Sequence, residues 1–202
     1  FHAVKNITTG EGGAIYLNNR NDFLFLRKIR EHGFNFTKLQ KNRFDYELDS
    51  TGYNFRLSDI NCSLGISQLT RLDKIIHQRN LIAKNYDKLF KNLEFLKLPK
   101  KFKNKLSSYH LYPIRINFKK LKKNKLNFMN EMKKKYKISL QVHYRPTYKF
   151  RFYKNNYNFN LQNFLNTEKY YEQTVSLPLF NSLTLNKQKY IVNSILKCLK
   201  KK

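Results

Sequence analysis

Residues 1–13 read FHAVKNITTGEGG and lead directly into the apolar run Ala14–Leu17. The glycines let the backbone turn sharply or approach a ligand closely, and the run that follows predicts a strand. Lys5 is the one cation in the uncharged stretch between His2 and Glu11. A lysine held among apolar neighbours is desolvated, which favours its neutral, nucleophilic amine. Such an amine suits a Schiff base with pyridoxal phosphate, although spacing alone leaves an ordinary surface lysine as the alternative.

The order of residues in this stretch is more specific than its composition. The pattern FHxxKxITTGEGG resembles the cofactor-lysine segment of the sugar aminotransferases of the DegT/DnrJ/EryC1/StrS family. The resemblance implies that Lys5 is the catalytic residue and that it binds pyridoxal 5'-phosphate covalently. Ala3 stands where the family usually has a proline, a position that shapes the backbone and does not touch the chemistry.

The composition is that of a globular protein of one or two domains. The chain has 202 residues, 41% of them hydrophobic, and no apolar run approaches the roughly 20 residues that a membrane helix needs. The two cysteines, Cys62 and Cys198, do not form a disulfide framework, so a reducing cytoplasm is the expected location. We expect no membrane partner and no metal ion.

The strong positive charge needs an explanation of its own. Lys and Arg number 41 against 13 acidic residues, for a net charge of +28, and such a surface could attract nucleic acid. The excess is lysine, however, and the chain has only three alanines among many residues with A/T-rich codons. Genome composition therefore explains the lysines, and runs such as Lys119–Lys125 are expected to be solvated charge. A basic, non-catalytic nucleic-acid-binding domain, whose binding would be salt-sensitive, stays the less favoured alternative.

The first half of the chain predicts three helices. Asp22 is the expected cap of a helix that ends near Arg30, with Gly33 in the left-handed conformation after it. Residues 34–50 predict a loop, and Ser58 is the expected cap of a helix with apolar residues at Ile60, Leu64 and Leu69. A further helical pattern runs from residue 75 to residue 90. We place a domain change near residue 75, which gives domains of residues 1–75 and 76–202.

The second half predicts strands that alternate with helices. In chain order these are strand Tyr109–Asn117, helix 126–136, strand Ile138–Val142, loop His143–Asn160, helix 161–171, strand Val175–Leu179 and a helix from Thr184 to about Leu199. Such alternation favours an α/β or α+β domain. The family resemblance implies an α/β fold: the C-terminal part of a fold-type-I (aspartate aminotransferase-like) large domain, followed by an α+β small domain.

A second motif is the turn Gly52–Leu57, just before the helix at Ser58. It is either a tight turn with a cap or an anion site, since an amide and a guanidinium lie beside free helix N–H groups. It resembles the Gly-x-Asn-x-Arg turn with which the same family reaches across its dimer interface. The resemblance implies that Asn54 contacts the neighbouring subunit's cofactor phosphate and substrate, that Arg56 supports it, and that the protein is a homodimer.

A third motif is QVHY, residues 141–144, followed by Arg145 and Pro146 at the exit of a predicted strand. A lone histidine is more often structural, but here a phenol and an arginine lie beside it, where ligands commonly meet strand ends. The segment resembles the substrate-binding stretch of one branch of the family, the UDP-4-keto-sugar aminotransferases of pseudaminic acid synthesis. That likeness implies that Gln141, Val142, His143 and Tyr144 contact the sugar nucleotide.

Together these resemblances imply transfer of an amino group, with glutamate as donor, to C4 of a UDP-linked 4-keto-6-deoxy-N-acetyl sugar. A perosamine- or bacillosamine-type aminotransferase with another nucleotide 4-keto sugar is the alternative substrate class. The chain begins inside a motif and lacks the family's upstream aspartate and ring-stacking aromatic residue. We therefore expect a C-terminal fragment that is inactive alone.

Overall fold

The computed structural model describes residues 1–35 and 47–200. The chain divides into two compact units, Phe1–Leu72 (unit 1) and Asp73–Lys202 (unit 2). Within the described ranges, none of the helices is both long enough and apolar enough to cross a membrane.

The described part of unit 1 contains two helices, α1 (Arg20–Arg30) and α2 (Asp59–Leu69). The side chain of Asn19 caps α1 by accepting bonds from the amides of Asn21 and Asp22, at 2.8 and 3.2 Å. The predicted cap, Asp22, was therefore wrong: it lies in the first turn, where its charge suits the helix dipole. The predicted cap of α2 is confirmed, since the Ser58 hydroxyl accepts a bond from the Asn61 amide at 3.3 Å.

The predicted strand Ala14–Leu17 does not form. This run pairs with none of the described residues, and Ile15 and Tyr16 are 73% and 91% exposed. A strand needs a hydrogen-bonded neighbour, so an apolar run without one stays irregular.

A close backbone crossing joins the end of α1 to residues 49–53. Gly33 has φ +89°, as predicted, and a Cβ atom there would lie 1.7 Å from the carbonyl oxygen of Ser50. A Cβ atom on Gly52 would lie 2.2 Å from the amide nitrogen of Gly33. Only glycine fits at either position. Of the predicted loop 34–50, residues 36–46 lie outside the described residues.

Unit 2 is built on a three-stranded antiparallel sheet in the order β1 (Leu96–Lys97), β2 (Tyr112–Ile116) and β3 (Thr174–Leu177). Leu96 pairs with Ile116, and Tyr112 pairs with Leu177. The predicted alternation in β2 is confirmed, because Tyr112, Ile114 and Ile116 are all fully buried. The strand is shorter than Tyr109–Asn117, since Tyr109 has φ +43° and lies outside the ladder.

Among the residues described up to Lys200, five α-helices complete unit 2: α3 (Leu72–Leu89, which begins at the last residue of unit 1), α4 (Lys125–Tyr136), α5 (Arg151–Asn156), α6 (Leu165–Gln173) and α7 (Leu185–Lys200). Gln188 of α7 is fully buried and joins α7 to α3, because its amide donates to the carbonyl of Ile82 at 2.8 Å. The amide of Asn85 in turn donates to the Gln188 side-chain oxygen at 3.2 Å.

Two predictions for unit 2 were wrong. The segment Ile138–Val142 is not a strand, and Gln141 alone pairs with Ser176. Ile138 and Leu140 are buried there without forming a continuous ladder. The predicted loop His143–Asn160 contains a 3-10 turn, Thr147–Lys149, and the helix α5. Buried Tyr148 stabilises the turn by packing on Phe164, with ring centroids 4.5 Å apart.

The two units differ in what they bury. Every buried hydrophobic side chain among the described residues lies between Ile82 and Leu199, in unit 2. In the described part of unit 1 the buried residues are Thr9, Gly33 and Gly65. Hydrophobic burial is the main stabilising contribution in folding, so the hydrophobic core of the described residues lies in unit 2.

Candidate functional site

The lysine motif folds into a closed loop in unit 1. The amide of Thr9 donates to the carbonyl of Phe1 at 3.0 Å, and the Thr8 hydroxyl donates to the same oxygen at 3.0 Å. The Lys5 amide donates to the His2 carbonyl at 3.0 Å, which places Lys5 in a turn at the outer part of the loop.

Lys5 is exposed, and so are its neighbours Ala3 and Val4. The expectation that apolar neighbours desolvate this lysine was therefore wrong for the described residues. The physical reason is that the loop packs inward through Thr9, four residues away, and not through Lys5. The catalytic role of Lys5 therefore stays a prediction that rests on the order of residues in its motif.

The lysine loop contacts α2 through Thr9 and the second motif through Gly12. A Cβ atom on Gly65 of α2 would lie 2.9 Å from the methyl carbon of Thr9. A Cβ atom on Gly12, which has φ +134°, would lie 2.9 Å from a methyl carbon of Leu57. The loop that carries Lys5 therefore packs directly on the segment that follows Asn54.

The second motif is an extended segment bound to the end of α1. The amide of Tyr53 donates to the carbonyl of Ile29 at 2.7 Å, and the amide of Phe55 donates to that of Arg30 at 3.0 Å. Asn54 forms a bridge with Glu31, and its side chain is exposed. Backbone bonds on both sides thus hold Asn54 in one position.

Arg56 forms an ion pair with Glu31, through one guanidinium nitrogen and a carboxylate oxygen. Sequence reasoning missed Glu31, since nothing in a sequence links two residues 25 positions apart. The pair partly neutralises the guanidinium that was expected to support an anion. Any anion at Arg56 has to compete with the carboxylate of Glu31 or share the guanidinium with it.

Two stacked aromatic rings flank Asn54. The rings of Tyr53 and Phe55 are nearly parallel at 4°, with centroids 4.7 Å apart, and both are more than half exposed. Because side chains alternate along an extended segment, the rings share one face, and Asn54 and Arg56 share the other. The alternation was visible in the sequence, but the exposure of the rings was not.

The third motif lies in unit 2 and is fixed by Ser176 of β3. The amide of Ser176 donates to the carbonyl of Gln141 at 2.8 Å, and the amide of Gln141 donates to that of Ser176 at 3.2 Å. The Nδ1 atom of His143 lies 2.8 Å from the Ser176 hydroxyl, which orients the imidazole. Ser176 is 4% exposed and was missed, although a serine between Val175 and Leu177 was a visible polar break in an apolar strand.

The remaining members of the third motif differ in exposure. Tyr144 is 70% exposed and meets the His143 ring edge-on, with centroids 4.8 Å apart. Val142 is half-buried, and Gln141 is exposed. The structure thus brings Lys5, Asn54 and Arg56 into unit 1, and Gln141, Val142, His143 and Tyr144 together in unit 2.

The sequence profile of the DegT/DnrJ/EryC1/StrS aminotransferase family matches residues 1–196, and the chain belongs to that family. It is 36% identical over 202 residues to a UDP-4-amino-4,6-dideoxy-N-acetyl-beta-L-altrosamine transaminase of Campylobacter jejuni, covering 100% of this chain and 51% of that protein. A Helicobacter pylori protein of the same name is 38% identical over 198 residues, which cover 98% of this chain and 50% of the relative.

Solved structures agree with the sequence matches. Helicobacter pylori PseC, an aminotransferase involved in the biosynthesis of pseudoaminic acid, superposes with a TM-score of 0.87 at 33% identity, covering 99% of this chain and 52% of that one. Spr1654 from Streptococcus pneumoniae, solved in its PMP form, superposes with a TM-score of 0.84 at 26% identity, covering 99% and 52%. The expected fold class is confirmed. The chain spans about half the length of the relatives it matches.

Proposed function

We propose that the protein to which this chain belongs is a pyridoxal-phosphate-dependent aminotransferase. It transfers an amino group from glutamate to C4 of a UDP-linked 4-keto-6-deoxy-N-acetyl sugar. The observation that carries the proposal is the family's lysine motif, folded as a closed loop that presents Lys5 on its outer turn. The names of the Campylobacter jejuni and Helicobacter pylori relatives support the substrate class. The protein is expected in the cytoplasm, where sugar nucleotides are available.

The donor groups of unit 1 fit this cofactor. Lys5 supplies an accessible primary amine, and Asn54 supplies an amide on a segment fixed by backbone bonds. Pyridoxal phosphate, when bound, supplies the electron sink that amino transfer needs. Lys5 would hold the cofactor covalently, and its amine would move the proton at C4 of the sugar as general base and acid.

The other predicted site residues bind and orient the substrate. Asn54 contacts the cofactor phosphate and the sugar of a neighbouring subunit in a homodimer, with Arg56 in support and Glu31 setting the direction of the guanidinium. Gln141, Val142, His143 and Tyr144 contact the sugar nucleotide. Ser176 fixes the imidazole of His143 through Nδ1, so that the ring approaches the substrate in one orientation. Residues 1–75 and 76–202 then belong to the large and the small domain.

The first test is to identify the lysine that carries the cofactor. In a protein of the relatives' full length that contains these 202 residues, borohydride reduction should fix pyridoxal phosphate to Lys5, as shown by peptide mass mapping. The Lys5→Arg variant should lose the label and lose transamination of a UDP-4-keto sugar by at least about a thousandfold, because the group that binds the cofactor and moves the proton is gone. Labelling of a different lysine in the wild-type protein would overturn the assignment.

The homodimer is tested by mixing two inactive chains. A Lys5→Ala chain and an Asn54→Ala chain should recover part of the activity when they form heterodimers, because one of the two shared sites then keeps both groups. A Tyr16→Ala chain paired with Lys5→Ala serves as the mixing control. If verified heterodimers show no recovery, Asn54 acts within its own subunit.

A further inference from the structure

A cavity of about 930 Å³ lies in unit 2, between the end of β2, the start of α4 and α6. Its wall combines cationic and apolar side chains. The cations are Lys119, Lys123, Lys125 and Lys169, and the apolar residues include Phe118, Leu126, Met129 and Val142. Glu172 is the one carboxylate among the lining residues. Four lysines against one carboxylate make the cavity attractive to an anion.

Lys125 differs from the other lysines of this wall. It is half-buried at the first position of α4, and its Nζ atom donates to the carbonyl oxygen of Tyr171 at 2.5 Å. The same atom lies 4.9 Å from the centroid of the Tyr171 ring. The run Lys119–Lys125 was expected to be solvated throughout, and Lys125 departs from that expectation.

The position of Lys125 changes its chemistry. Burial lowers the pKa of Lys125 to about 8, and the charge of Glu172 opposes the effect only in part. Near neutral pH this lysine therefore carries a far larger share of neutral amine than an ordinary lysine, whose pKa is about 10.4. A neutral amine is the form that attacks a carbonyl carbon.

The chemistry of the wall has two parts that one small molecule would satisfy together. The ammonium groups of Lys119, Lys123 and Lys169 favour a phosphate, and the amine of Lys125 favours a carbonyl group. The apolar side chains can pack on a short carbon skeleton.

We propose that this cavity binds a small phosphorylated aldehyde or ketone, which Lys125 holds as an imine while the neighbouring lysines hold its phosphate. The Lys125 nitrogen attacks the carbonyl carbon and forms a C–N bond. The carbonyl oxygen then leaves as water with the two amine protons, so no oxidant or reductant is needed. An imine on Lys125 is a different role from the one proposed for Lys5, and it goes beyond the proposed aminotransferase activity.

The lining also distinguishes this cavity from the third motif. Val142 is the one member of that motif among the residues that line the cavity. The ring of His143 does not line it and forms a hydrogen bond with the hydroxyl of Ser176. Occupation of the cavity therefore does not require the imidazole to move.

The test uses glyceraldehyde 3-phosphate as the probe, cyanoborohydride to trap the imine and peptide mass mapping to find it. At pH 7.5 Lys125 should be the main labelled residue of unit 2. Labelling there by the phosphorylated probe should exceed labelling by plain glyceraldehyde by about tenfold, because the lysines concentrate the anion. Inorganic phosphate should protect Lys125 and leave labelling elsewhere unchanged.

Two variants separate the two parts of the proposal. Lys125→Arg keeps the charge and should remove the label at this position alone. Lys123→Gln keeps the reactive amine and should reduce the preference for the phosphorylated probe, with labelling by plain glyceraldehyde unchanged. Even labelling across the exposed lysines, or equal labelling of Lys125 by both probes, would overturn the proposal.

Discussion

Gly65 lies in the middle of α2, at a position where a side chain would meet Thr9. On an open helix surface, glycine to alanine raises stability by about 1 kcal/mol. Here the new Cβ atom would lie 2.9 Å from the Thr9 methyl carbon. We expect Gly65→Ala to gain no stability and to displace the lysine loop. Faster hydrogen exchange of the Thr9 amide, which donates to Phe1, would report the displacement.

The matched control for this prediction is the double variant Gly65→Ala with Thr9→Ser. Serine lacks the methyl group and keeps the hydroxyl that donates to the carbonyl of Glu11. The double variant should therefore recover the helix stabilisation and the slow exchange of residue 9. A single Gly65→Ala variant that is more stable than wild type, with unchanged exchange, would show that Thr9 does not limit this position.

At the scale of elements, Glu168 joins α6 to the 3-10 turn Thr147–Lys149. It accepts bonds from the hydroxyl of Tyr148 at 2.7 Å and from the Nζ atom of Lys149 at 2.5 Å. These two donors, Lys149 first, hold the pKa of Glu168 below its usual range. Glu168→Gln should lower the free energy of unfolding by about 1–2 kcal/mol at pH 7.

The pH dependence of this effect has a definite sign. A carboxylate whose pKa is lower in the folded state stabilises the protein above its unfolded pKa, which is about 4.3 for glutamate. The difference between wild type and Glu168→Gln should therefore be complete at neutral pH and shrink as the pH falls below that value. Urea titrations at several pH values measure it. Glu94→Gln is the control, because the Glu94–Lys120 pair is exposed and should contribute little. If both variants lower the free energy of unfolding equally, Glu168 does not stabilise the contact between α6 and the 3-10 turn as proposed.

The elements that were predictable from sequence are those with a local signal. The period-two pattern of β2 and the cap at Ser58 depend on neighbouring residues, and both were predicted. The helical turns at residues 147–156 depend on distant aromatic partners of Tyr148, and the predicted strand at Ala14–Leu17 lacks a described partner. In both cases the outcome depends on contacts between residues far apart in the sequence, which local patterns do not reveal.

The candidate site divides in the same way. The motifs around Lys5, Asn54 and Gln141–Tyr144 were identified from residue order, and their roles stay predictions. The pairing of Glu31 with Arg56 and of Ser176 with His143 was not predictable, because each joins residues 25 or more positions apart. The exposure of Lys5 was also unpredictable, since burial depends on which surfaces cover the loop.

At the scale of the whole molecule, the distribution of buried residues predicts different stabilities for the two units. A chain of residues 73–200 should unfold cooperatively in urea, because it contains every buried hydrophobic side chain among the described residues. A chain of residues 1–72 should show no cooperative transition, since in the described part it buries little beyond Thr9 and two glycines. Circular dichroism during urea titration measures both. A cooperative transition in residues 1–72 would show that unit 1 is stable without further contacts.

The backbone crossing of Gly33 and Gly52 has a consequence for the gene. Every amino acid that one nucleotide change can produce from a glycine codon carries a Cβ atom, and here that atom would fall 1.7 or 2.2 Å from a backbone atom. Each missense mutation in either codon therefore causes the same steric clash of a Cβ atom with the backbone, whatever the chemistry of the new side chain. In a substitution library of the 202-residue chain that is selected for folded protein, positions 33 and 52 should keep only glycine codons. Position 13 should accept replacements, because nothing lies within 4 Å of a Cβ atom built there.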